Sequence, residues 1–103
     1  MLHKISARHT EIDDAIRLRA EAVMARLAGF APQAVEGTVI FDVVAAGEWA
    51  EIKIHLPGGQ TLVATATEID HRTALDRAES KMRKQIERAA TAARRDRRAS
   101  RQP

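Results

Sequence analysis

From Ala50 to Leu56 the apolar positions Ala50, Ile52, Ile54 and Leu56 fall on one side of the chain, while Trp49, Glu51, Lys53 and His55 fall on the other. A strict period of two suits a strand with one buried and one wet face and no helix. The flanking residues extend the pattern. Residues 36–45 are rich in β-branched side chains, Ala46-Gly47 supplies a turn, Pro57-Gly58-Gly59 supplies a second, and residues 61–67 form a returning strand. Three strands in a meander have an apolar face that something must cover, so the rest of the chain is constrained to provide a second layer.

Two segments with helical period provide it. Ile16, Ala20, Val23 and Leu27 recur at spacings of 4, 3 and 4, which predicts a helix from Asp13 to Leu27. Asp13 is the expected N-cap, with Thr10 offering a second side-chain oxygen, and Asp14 places negative charge at the positive end of the helix dipole. Gly29 and then Pro32 are expected to stop it. Leu75, Ala78, Met82 and Ile86 predict a second helix, capped by Asp70, which alanine and arginine could prolong through residues 89–99. Residues 2–7 form a short opening strand. The expected fold is α+β, in the order β-α-β-β-β-α: a four-stranded sheet with two helices packed on one face.

At 103 residues the chain is one domain, and the absence of cysteine excludes disulfides, thiolate metal sites and a cysteine nucleophile. No apolar run approaches the roughly 20 residues of a membrane span, and residues 1–14 hold no stretch of signal-peptide length. A cytoplasmic protein without a membrane partner is expected. Aromatic residues, at 3%, are too few for base-stacking platforms.

Charge is divided unevenly. Residues 1–69 carry 6 Lys and Arg against 9 Asp and Glu, whereas residues 70–103 carry 11 against 5. The C-terminal third therefore seeks a polyanion. Arg77, Lys81, Lys84 and Arg88 repeat at 4, 3 and 4, and their stripe starts two residues from Leu75, a rotation of roughly 200° that places it opposite the core. Asp76, Glu79 and Glu87 are interspersed, as on any solvated helix. Beyond them Arg94, Arg95, Arg97, Arg98 and Arg101 stand against Asp96 alone, and arginine's planar fork suits phosphate.

Catalytic chemistry has little support. His3, His9, His55 and His71 show no ligand spacing, the adjacent Asp13 and Asp14 read as caps, and Pro57-Gly58-Gly59 lacks the lysine of a phosphate loop. No catalytic residue, metal, cofactor or small-molecule substrate is expected.

Taken together, these residues resemble the ribosome hibernation-promoting factor family, also called ribosome-associated inhibitors and attached by an older label to sigma factor modulation. Ala7-Arg8 followed by EIDDAIR, Glu11 to Arg17, is similar to the family's R-x-x-E-[IV]-T-x-A-[IL]-R, with Asp13 in place of a capping threonine. EIDHRTALDRAESKMRKQIER, Glu68 to Arg88, is similar to E-x-D-M-Y-x-A-I-D-x-x-x-x-K-L-x-R-Q-L-x-K and retains Asp70, Ala74, Asp76, Lys81 and Gln85. The resemblance implies a fold similar to a double-stranded-RNA-binding domain over residues 1–88, followed by a basic tail over 89–103. It also implies binding between head and body of the small ribosomal subunit, across the mRNA and tRNA positions, silencing idle ribosomes in stationary phase or stress.

Carried over, the rRNA-facing residues are Lys81, Lys84 and Arg88, with Arg77 on the same stripe, Arg26 on the first helix and Arg8 before it. The arginines at 94, 95, 97, 98 and 101 add phosphate contacts. The family's M-Y is His71-Arg72 here, and Val23-Met24-Ala25-Arg26-Leu27 lacks one basic position of its K-L-x-K-L. Long members carry a further dimerisation domain for which this length has no room, so the free chain is expected to be a monomer. A general RNA-binding module and a modulator of an alternative sigma factor remain as other readings.

Overall fold

The computed structural model describes residues 1–101, with side chains as far as Asp96. Its elements are β1 (Leu2–Ala7), α1 (Asp14–Phe30), β2 (Glu36–Val44), β3 (Gly47–His55), β4 (Thr61–Glu68) and α2 (His71–Arg101), with a 3-10 turn at Pro57–Gly59. The strands form one sheet in the order β1-β2-β3-β4. β1 runs parallel to β2, and the other neighbours are antiparallel. The expected α+β architecture is present.

Both helices lie on the face that buries Val39, Phe41, Ala50, Ile52, Ile54, Leu62, Ala64 and Ala66. α1 adds Ala20, Val23, Met24 and Leu27, and α2 adds Ala74, Leu75, Ala78, Met82 and Ile86. Alanines on both β4 and α2 let the helix lie close along that strand. Apolar burial of this kind drives folding at roughly 25 cal/mol per Å² removed from water.

Asp13 caps α1 as expected, accepting the N–H of Ile16 at 2.8 Å. The helix runs through Gly29, which is not in the left-handed region, and ends when the Ala31 N–H bonds Leu27 O at 2.9 Å. Gly29 is thus no stop. Pro32 is, because the residue before a proline is pushed out of helical geometry. The β2–β3 turn also falls one residue earlier than expected: Val44 pairs with Gly47, leaving Ala45-Ala46 as the loop.

Gly47 has φ +145°, and a Cβ built there would lie 2.6 Å from the carbonyl oxygen of Glu68. The obstacle is backbone, so no side chain can swing away. Gly47→Ala is expected to cost about 1–3 kcal/mol, lowering Tm by roughly 5–15 °C in thermal denaturation; an unchanged Tm would refute this account of the turn.

α2 passes through Arg88 and Ala89 without a break. It spans roughly 46 Å at 1.5 Å per residue, most of the 55 Å long axis of the molecule. Among the described side chains its last buried residue is Ile86, with Ala89 packed partly against the core, so the segment up to Asp96 continues a helix that has left the sheet.

Candidate nucleic-acid interface

Two contacts fix the rotation of α2 about its axis. The Asp70 carboxylate accepts the Thr73 N–H at 2.7 Å, which, with a hydrogen bond from the Thr73 side chain, holds its pKa below the usual carboxylate range. His71 is buried, with Nε2 3.0 Å from the Asp42 carbonyl, Nδ1 3.2 Å from Glu48 and its ring edge-on to Phe41. This N-terminal anchor decides which flank each later side chain occupies.

One flank faces α1 and takes the acids. Arg19 holds Asp76 through two hydrogen bonds of 2.9 and 2.8 Å, and Arg26 holds Glu79 through two of 2.8 and 3.0 Å. Both guanidinium pKa values are raised, first by the hydrogen bonds to these carboxylates. Exposed ion pairs add little stability. Their effect is to withdraw Asp76 and Glu79 from the solvent side of α2, leaving their charge neutralised.

The opposite flank runs beside β4 and is basic. Arg77 pairs with Glu68 at 2.8 Å, the Lys81 ammonium donates to the Thr65 carbonyl at 2.8 Å, and Gln85 donates to the Val63 carbonyl. Lys84 and Arg88 are exposed and form no ion pair among the described residues. Arg95, one further repeat along the helix, extends the same row, so Lys81 to Arg95 make a basic strip of roughly 21 Å.

This corrects the expected orientation. The buried stripe includes His71 and Ala74 as well as Leu75, and its centre lies about 120° from the basic row at 100° per residue, so the row is beside the core and not opposite it.

The structure brings together Arg77, Lys81, Lys84, Arg88 and Arg95, but not every residue expected at the interface. Arg26 is on the α1 side, bound to Glu79. Arg8 is at the far end of the sheet, 3.7 Å from Asp42 and stacked 5.8 Å from the Trp49 ring centroid. Asp42 itself is held below the usual carboxylate range by the Val43 N–H, with His9 and Arg8 adding to the effect. Arg94 turns towards the Thr91 hydroxyl at 3.4 Å. The side chains of Arg97, Arg98 and Arg101 lie outside the described residues. Sequence reasoning passed over Gln85 as a working part of the site, and over Arg83, which stacks 4.3 Å from the Phe30 ring centroid. Gln85 is retained from the family motif, which is the signal that could have found it.

Among the described residues no group of three His, Cys, Asp or Glu side chains could hold a metal, and no helix is long and apolar enough to cross a membrane.

This four-stranded, two-helix domain with a long basic helix has the architecture of known ribosomal subunit interface proteins. A solved ribosomal subunit interface protein from Coxiella burnetii superposes with a TM-score of 0.81 at 20% identity, over 88% of this chain and 99% of that one. The N-terminal domain of Protein Y from Thermus thermophilus superposes with a TM-score of 0.71 at 31% identity, over 84% of this chain and 96% of that one. The chain belongs to the family described as sigma 54 modulation protein / S30EA ribosomal protein, whose model matches residues 3–94. This is the hibernation-promoting factor family that the two sequence motifs resemble. A search of curated proteins finds no match.

Proposed function

We propose that this protein is a cytoplasmic, ribosome-binding translation regulator that acts without catalysing a reaction. It occupies the mRNA and tRNA channel of the small subunit and silences idle ribosomes under stress or in stationary phase. The observation that carries this reading is the sorting of charge on α2. Its acids Asp76 and Glu79 are consumed by α1, while Lys81, Lys84, Arg88 and Arg95 form a solvent-facing strip on the β4 side. Glu87 and Asp96 also lie along this stretch, but neither forms an ion pair with these cations among the described residues, and a strip of net positive charge suits rRNA phosphates. Membership of the family and the likeness to a subunit interface protein support the choice of the ribosome as the polyanion. The free protein acts as a monomer, and the arginines from Arg94 to Arg101 add contacts beyond the domain.

Displacing condensed counterions makes such binding steeply salt-dependent. With about four phosphates neutralised, affinity for purified small subunits is expected to fall roughly a hundredfold between 50 and 200 mM salt. A flat salt response would refute the phosphate-backbone account. On sucrose gradients of stationary-phase cells the protein is expected with small subunits or whole ribosomes. Recovery with RNA polymerase instead would favour the sigma-factor reading, and equal affinity for arbitrary duplex RNA would favour a general RNA-binding module.

A further inference from the structure

β4 is an outer strand of the sheet, hydrogen-bonded to β3 on one side only. In an antiparallel ladder the N–H and C=O of a residue point to the same side. The carbonyls of Val63 and Thr65 are met from outside by Gln85 and Lys81, so these are the outward residues of β4 and their N–H groups face outward too. An ordinary open edge offers donors and acceptors together and can recruit another strand. This one has its two central acceptors, the Val63 and Thr65 carbonyls, occupied by side chains from its own helix, which leaves donors at the middle of the edge.

The surroundings share that polarity. From Thr61 to Thr67 β4 carries no charged side chain, and Glu68 at its end is paired with Arg77. Lys81 spends one of its three donors on Thr65, and Lys84 and Arg88 follow along the helix. The geometry points to the outer edge of β4 as a second row of the interface, in which the Val63 and Thr65 N–H groups bind phosphodiester oxygens of an RNA backbone running between strand and helix. The two N–H groups are roughly 6.8 Å apart, two residues along a strand, so they meet separate phosphates. Lys81 and Gln85 are then positioning residues, because they remove the carbonyls that would repel a phosphate and that would accept a peptide strand. This inference rests on the RNA-binding reading and adds the strand to it.

Proline lacks an N–H and is tolerated on an edge strand where that N–H faces solvent. Val63→Pro can therefore be compared with Val63→Ala, which loses the same side chain but keeps the donor. With both variants folded by circular dichroism, Val63→Pro is expected to bind small subunits about tenfold more weakly than Val63→Ala, the worth of one hydrogen bond to a charged group. Equal affinities, with the parent chain still bound, would overturn the strand's role and leave the helix strip standing. Failure of the parent to bind would overturn the ribosome-binding reading itself.

Amide spectra of the intact chain titrated with oligouridylate test the same point without substitution, should Val63→Pro not fold. Saturable shifts at Val63 and Thr65 are expected. Shifts confined to Lys84 and Arg88, or shifts at the strand with an extended peptide and not with oligouridylate, would overturn the inference.

Discussion

Met82→Asp is expected to unfold the domain. Met82 is fully buried at the centre of the stripe that α2 presents to the sheet, between Ala78 and Ile86. The substitution removes about 1.5–3 kcal/mol of apolar burial. It also places a carboxyl where the described neighbours are hydrocarbon, and a buried charge without a partner costs several kcal/mol more, whether it stays ionised or takes up a proton. A domain of this size has about 5–15 kcal/mol in hand. The loss should appear as collapse of the far-ultraviolet circular dichroism and of the cooperative thermal transition; a native-like melt would show that α2 is not held by this stripe.

Lys84→Glu combined with Arg88→Glu is expected to leave the fold intact and remove ribosome binding. Both side chains are exposed, and neither takes part in an ion pair among the described residues, so their reversal breaks no ion pair there. Each cation lost from a phosphate forfeits about 1.5–3 kcal/mol, and each glutamate adds repulsion. Affinity should fall by at least about a hundredfold. Lys81 is a poorer choice for this test, since it also covers the Thr65 carbonyl and its loss would open the strand edge.

Much of the fold was legible because local signals agreed. The period of two in β3, the turns on either side of it and the caps Asp13 and Asp70 all depend on residues close in sequence, and the structure contains each of them, the first turn displaced by one residue. Gly29 misled because glycine within a helix costs only about 1 kcal/mol and stops one chiefly by turning left-handed, which Gly29 does not do, so the helix ran on towards the proline.

The candidate site was legible only in part. A helical wheel started from Leu75 takes the margin of the buried stripe for its centre, because Ala74 and His71 carry no conspicuous apolar signal. The consequence was a basic row placed opposite the core when it lies beside β4. Nor could pattern alone reveal that Arg26 serves Glu79, 53 residues away, or that Lys81 reaches the Thr65 carbonyl. These depend on how α1, α2 and the sheet pack.

The central claim is that the basic flank of α2 beside β4 is the surface that meets the ribosome. Co-sedimentation of purified small subunits with the parent chain and with the Lys84→Glu, Arg88→Glu variant tests it most directly, both proteins being folded by circular dichroism and held at about 100 mM salt. The parent should pellet with the subunits and the variant should remain in the supernatant. A variant that pellets like the parent would place the binding surface elsewhere on the molecule.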